Sequence, residues 1–179
     1  MELIVLFIFI IEYFIQILRI AEFKKWWSKL IISLILGVVP LIMLPTAINM
    51  NKSFLSAVFL DKSLFYFLKT LFLLEGIYFL WLSIREPKEE FGLADHKFYH
   101  SMPFGIIALC GIYFLEIKIL LLGLNIDFWF LAVILSLLII VLLFFGSWII
   151  KRLLPQRFYR TELSFILNLL MLIFIVFII

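Results

Sequence analysis

Long apolar stretches separated by short polar ones run the whole length of this chain of 179 residues. Six of them approach the roughly 20 residues that a helix needs to cross the hydrocarbon of a bilayer. They cover 3–20, 30–48, 63–84, 103–123, 127–150 and 162–179. In lipid, every backbone polar group has to be satisfied inside its own segment. The pattern therefore predicts an all-α integral membrane protein, a six-transmembrane-helix bundle that forms a single polytopic membrane domain over residues 1–179. The polar intervals are too short to hold a soluble domain. The first stretch, "MELIVLFIFIIEYFIQILRI", lacks a basic leader and a small-residue cleavage site, so it is expected to be a retained span. Pro40 and Pro45 each remove a backbone donor from the second stretch and are expected to kink or break that helix. The segment "NKSFLSAVFLDK" that follows is too short to span and fits an interfacial position.

Lys and Arg in short loops favour the cytoplasmic side. Arg19, Lys24, Lys25 and Lys29 flank the first loop, Arg85, Lys88 and Lys97 the third, and Lys151, Arg152, Arg157 and Arg160 the fifth. The alternate loops carry only Lys52 and Lys62. Six alternating spans then place both termini on the non-cytoplasmic side. Trp26, Trp27, Trp81 and Trp148 fall near the basic loops and Trp129 near the opposite face, as an aromatic belt requires.

Composition adds to this picture. Hydrophobic residues make up 66% of the chain, against about half in a soluble domain, so the excess has to face lipid. The net charge of +3 comes from the loop clusters, and no segment is long enough to present a basic face to nucleic acid. The single cysteine, Cys110, lies in an apolar run, where it makes no intrachain disulfide and a thiol is inert. Seven glycines and few alanines argue against close helix packing. The expected location is a cytoplasmic (inner) membrane or an equivalent energy-transducing membrane. The expected partners are the lipid bilayer and either partner membrane subunits or further copies in a homo-oligomer.

Five charged residues interrupt the apolar stretches: Glu12, Lys69, Glu75, Glu116 and Lys118. Near the centre of a bilayer such a group costs at least roughly 2.5–3.5 kcal/mol, so each asks for a partner or a function. Lys69 and Glu116 lie at matching depths in consecutive spans and are expected to pair. Such a pair predicts more damage from Glu116→Leu alone than from its combination with Lys69→Leu. Lys118 lies closer to the interface, within reach of water. Glu12 and Glu75 lie nearer the middle, with no cation expected at their depth. Glu12 shares a helix face with Gln16 and Arg19, and Ser164 shares one with Asn168. Glu12, Gln16, Lys69, Glu75, Glu116 and Asn168 thus outline either a polar path for a proton, an ion or a headgroup, or a set of interhelical hydrogen bonds.

Both histidines lie in "GLADHKFYHSMP", residues 92–103, which the charge bias places on the cytoplasmic side where the fourth span begins. If residues 88–102 are helical, His96 and His100 share a face with Glu89. Glu89, His96 and His100 could then furnish three ligands for a divalent metal such as zinc, leaving a position open for water. As a catalytic set, Asp95, His96 and His100 would supply a general base and the carboxylate that orients it. Gly92 interrupts such a helix and Pro103 follows it, and two histidines exclude any three-histidine site. "HKFYHS" is similar over six residues to an element of membrane-bound metal-dependent hydrolases, and "DHKFYH" to one of VanZ-like proteins. Neither family's remaining motifs are present at their spacing, so no fold or activity is carried over. Glycine-rich phosphate loops, Gly-x-Ser-x-Gly and His-Glu-x-x-His are absent from the sequence.

Two functions follow as expectations. One is a non-catalytic membrane component, either a subunit of a larger complex or a small carrier with a polar path of buried charges. The other is a membrane-embedded enzyme acting on a lipid-like substrate at the cytoplasmic face through Asp95, His96 and His100, with metal dependence open.

Overall fold

The computed structural model of the protein describes residues 2–49, 62–85, 105–121 and 127–177. Among these residues the fold is six α-helices with no strand: α1 Glu2–Glu22, α2 Trp26–Ile48, α3 Lys62–Arg85, α4 Ile106–Leu121, α5 Phe128–Leu153 and α6 Arg157–Phe177. Each falls on one of the six apolar stretches. Three of them, α2, α5 and α6, are long and apolar enough to cross a membrane. The helix α2 runs unbroken through Pro40 and Pro45, so of the kink or break expected there the break does not occur. Packing against α5 along most of its length keeps it continuous where two backbone donors are missing.

Side-chain contacts fix the direction of each helix. Phe7 meets Phe174 and Glu22 meets Arg160, so α1 and α6 run antiparallel. Lys69 reaches Val176 while Gly76 faces Leu172, so α3 also runs against α6. Gly37 packs on Ile140 and Leu44 lies beside Leu131, so α2 runs against α5. The ends Glu22, Trp26, Arg85, Leu153 and Arg157 consequently gather on one side of the bundle, its basic end.

The core divides into two clusters. Ile8, Ile11 and Ile15 of α1 pack with Phe72 of α3, Ile107 and Phe114 of α4, and Met171 and Ile175 of α6. Ile20 of α1 packs with Ile32 and Leu36 of α2, Ile112 of α4, and Ile139 and Leu143 of α5. The helices α1 and α4 belong to both clusters. Around this core the outward faces stay apolar: Leu137, Leu138, Val141, Leu142 and Phe145 of α5 are all exposed. A helix that is apolar on its outer as well as its inner face is suited to lipid.

Glycine is used where helices touch. A Cβ on Gly37 would run into the Ile140 side chain and lie 3.2 Å from the Ser136 carbonyl oxygen, so α2 and α5 approach through small residues. A Cβ on Gly111 would stand 2.7 Å from the Phe9 ring. The low glycine count therefore does not mean loose packing; Gly37, Gly76, Gly111 and Gly146 all stand at helix contacts.

At the basic end, Arg160 ties three elements together. Its Nε donates to Glu22 Oε1 at 2.5 Å, and its Nη1 donates to the Leu154 and Pro155 carbonyls at 2.6 and 2.9 Å. Carbonyls at a helix C-terminus lack intrahelical partners, and here a buried guanidinium supplies the donors. Glu22 Oε2 lies 3.3 Å from Arg157 Nε, so one carboxylate faces two cations. At the opposite end, the Asp127 side chain caps α5 by accepting from the Trp129 amide at 3.2 Å.

Candidate functional site in the bundle core

The first core cluster is interrupted by polar side chains from four helices. Glu12 and Gln16 of α1 are one turn apart and almost fully buried, and Gln16 Nε2 donates to Glu12 Oε1 at 2.5 Å. Glu75 of α3 comes from across the bundle, and its Oε2 accepts from the Ile107 amide at 2.9 Å. The Ile106 amide faces the same carboxylate. A side chain from the middle of α3 thus caps the N-terminus of α4, where orphan amides and the helix dipole favour negative charge. Because α3 continues ten residues past Glu75, the first turn of α4 is recessed by roughly 15 Å from the end of α3.

Arg19 supplies the counter-charge. It starts one turn inside the end of α1, and helical side chains lean back toward the N-terminus of their helix. Its guanidinium lies within electrostatic range of Glu12, Glu75 and Tyr78. The expectation that no cation shares the depth of Glu12 and Glu75 is therefore corrected: a residue assigned to the loop by position reaches into the core by length. Asn168 of α6 is fully buried, and the Phe7–Phe174 and Glu22–Arg160 pairs put it level with Glu12 and Gln16. Its Nδ2 donates to the Ser164 carbonyl at 2.7 Å, as their shared face implied.

These bonds leave four buried oxygens without a hydrogen-bond partner among the described residues: Glu12 Oε2, Gln16 Oε1, Glu75 Oε1 and Asn168 Oδ1. All four are acceptors. The cluster also carries two carboxylates against one guanidinium. Among the described residues the cluster thus holds more buried acceptors without a hydrogen bond than donors without one, the Arg19 Nη1 being such a donor, and its formal charge is negative.

The remaining path residues lie elsewhere. Lys69 donates to the Val176 carbonyl at 3.3 Å, at the far end of α6. Glu116 is buried, and both of its carboxylate oxygens lack a partner among the described residues. It lines a small cavity with Leu44 of α2 and Leu131, Ala132 and Leu135 of α5. The expected Lys69–Glu116 pair is thus not formed. Matching depth was necessary for it, but the two residues leave their helices in different directions, one toward α6 and the other toward α2 and α5. Glu12, Gln16 and Glu75 come together, with Asn168 level with them on α6; Glu116 and Lys69 do not join them. Lys118 stands over the Phe114 ring at 5.7 Å from its centroid.

Glu89, Asp95, His96 and His100, together with the 50–61 segment, lie outside the described residues. Among the described residues no group of three or more His, Cys, Asp or Glu is placed to hold a metal ion. Sequence reasoning missed three features: the reach of Arg19, the capping role of Glu75 and the Glu22–Arg160 clamp. Only the first left a local signal, the Glu12–Gln16–Arg19 spacing; the other two join residues far apart in the chain. Comparison of the chain with protein families, with curated proteins and with solved structures finds no match.

Proposed function

We propose that the protein is a small non-catalytic membrane carrier, with six crossing helices and both termini on the non-cytoplasmic side. Its polar core between α1, α3, α4 and α6 binds one proton or one small monovalent cation. The observation that carries this reading is the set of four buried acceptor oxygens that, among the described residues, have no hydrogen-bond partner and lie around a pair of carboxylates with one cation. One further positive charge would neutralise the cluster, and a proton or a small cation would satisfy acceptors that no donor among the described residues reaches. Burial of Glu12, Gln16 and Asn168 inside this chain favours a carrier over a subunit, since polar groups meant for a partner subunit would face outward. The alternating helix directions and the gathering of Lys29, Lys151, Arg157 and Arg160 at one end support the six-span orientation.

The test is cation or proton flux in proteoliposomes under an imposed pH, sodium or potassium gradient. Wild-type protein is expected to dissipate one of these gradients, and Glu12→Gln or Glu75→Gln to abolish it. Absence of flux under every gradient, with stoichiometric co-purification of other membrane proteins, would establish a subunit instead.

A second reading is an enzyme acting on a lipid-like substrate at the cytoplasmic face. One observation favours it: the start of α4, which follows the Asp95–His96–His100 segment, is held beside Arg19 and Glu75, and the neighbouring Tyr78 is exposed. Elemental analysis of the purified protein separates the two, because stoichiometric zinc or iron supports only the enzyme.

A further inference from the structure

The polar core makes no use of Glu116. This residue follows Ile107 by about two and a half helical turns, so it leaves α4 on the opposite side, toward α2 and α5. Its side chain is only 2% exposed, and neither carboxylate oxygen has a hydrogen-bond partner among the described residues. Lys118 follows it closely in the chain but leaves the helix on another face, where it stands over the ring of Phe114. A carboxylate taken out of water without a partner is costly, so this one is kept at an expense that packing alone does not explain.

The Glu116 side chain lines a cavity of about 10 Å³, which is room for one group the size of a water molecule. The rest of the described lining is hydrocarbon: Leu44 of α2, Ile119 and Leu120 of α4, and Leu131, Ala132 and Leu135 of α5. Leu44 and Ala132 are buried, whereas Ile119, Leu120, Leu131 and Leu135 are half-buried, so the rim of the cavity reaches the apolar outer surface. Leu44 comes shortly before the end of α2, Glu116 before the end of α4, and Leu131 just after the start of α5. The cavity therefore lies within about two turns of the end opposite the basic one.

The chemistry of this lining selects its occupant. A neutral apolar molecule would leave both oxygens without a donor, and an anion would be repelled by them. A divalent metal ion asks for about six oxygen ligands, and the described lining supplies two from side chains. A primary ammonium brings one positive charge and three N–H donors on a group the size of a water molecule. We propose that Glu116 and the cavity between α2, α4 and α5 form a binding site for a primary alkylammonium. Its nitrogen donates to the Glu116 carboxylate, and its chain lies against Ile119, Leu131 and Leu135 at the apolar rim. This site is on the other face of α4 from the polar core and does not depend on its role as a carrier.

Equilibrium dialysis of radiolabelled n-hexylamine against the full chain in phosphatidylcholine nanodiscs tests it, with empty nanodiscs as the blank. Wild-type protein is expected to take up one saturable equivalent per chain. Glu116→Gln keeps the shape and removes the charge, and is expected to weaken binding by about tenfold or more. Glu12→Gln and Glu75→Gln, on the far side of α4, are expected to change it by less than about twofold. Should Glu116→Gln fail to fold, Ala132→Val reads the same loss, because it fills the cavity and leaves the carboxylate in place. Hexanol has the same chain without the charge, and hexyltrimethylammonium has the charge without an N–H. Each is expected to displace the label at least about tenfold less well than unlabelled hexylamine. Absence of saturable binding by wild type, unchanged binding in Glu116→Gln or Ala132→Val, or displacement by either analogue as effective as by hexylamine overturns the proposal. A loss in Glu12→Gln as large as that in Glu116→Gln assigns the amine to the polar core and overturns it equally.

Discussion

The two halves of the bundle share α1 and α4 and are built on different principles. Between α1, α3, α4 and α6, the helices enclose Glu12, Gln16, Arg19, Glu75 and Asn168 within an apolar shell. Between α1, α2, α4 and α5, the contacts are small and apolar, with Gly37 against Ser136 and Ile140, and with Ala132, Ile139 and Leu143 turned inward. One polar group in this second half is a carboxylate, Glu116, and nothing pairs with it among the described residues. A single helix can present a polar stripe to one neighbour and an apolar one to another, because residues four apart share a face and residues two apart do not. Glu12, Gln16 and Arg19 point one way from α1, whereas Tyr13, Ile17 and Ile20 point another. In the first half charges are held by each other; in the second, packing does the holding.

This contrast can be broken most directly at Arg19. Replacing it with Leu leaves two carboxylates facing each other in an apolar shell and should cost about 3–5 kcal/mol, as removal of one partner from a buried ionic cluster does. Thermal unfolding in detergent measures the loss, and adding Glu12→Gln should recover part of it. A wild-type midpoint for Arg19→Leu would mean that the cluster is not coupled. In the apolar half the corresponding change is Gly37→Ala, whose new methyl group collides with Ile140. Overpacking of this kind costs about 1–3 kcal/mol, and Ile140→Ala in the same chain should return most of it.

Glu75→Gln keeps an oxygen for the Ile107 amide but removes the charge at the start of α4. A loss of about 1 kcal/mol is expected, the difference between a charged and a neutral acceptor at a helix N-terminus. The smallest effect belongs to Glu116. With no partner to strand, Glu116→Leu should leave stability unchanged or raise it by about 1 kcal/mol. Combining it with Lys69→Leu should be additive within about 0.5 kcal/mol, because the two residues share no contact. Coupling above that value would restore the pair that their depths implied.

Depth along a helix was legible in the sequence, since it follows from counting residues at a fixed rise; Lys69 and Glu116 do lie near the same end of the bundle. The side from which each leaves its helix was legible only relative to its own helix. Which neighbour stands there depends on how six helices are arranged around one another, and the order of the helices in the chain does not encode that arrangement. Glu75 shows the same limit. Its charge in an apolar run marked it as needing a partner, but the partner is the amide of Ile107, which every residue except proline possesses and no pattern can single out. Asp95, His96 and His100 stood out because histidine is scarce in this chain, and they lie outside the described residues.

The sequence by itself determined that the chain is helical, where each of the six helices begins and ends to within about five residues, and which end collects the positive charge. These properties depend on local apolar length and on the charges that bound it. The tertiary structure alone decided that Arg19 turns inward to Glu12 and Glu75, that Arg160 closes the turn after α5, and that Glu116 has no partner among the described residues. Each of these depends on the few ångströms between side chains of different helices, a distance set by packing and not by position in the chain.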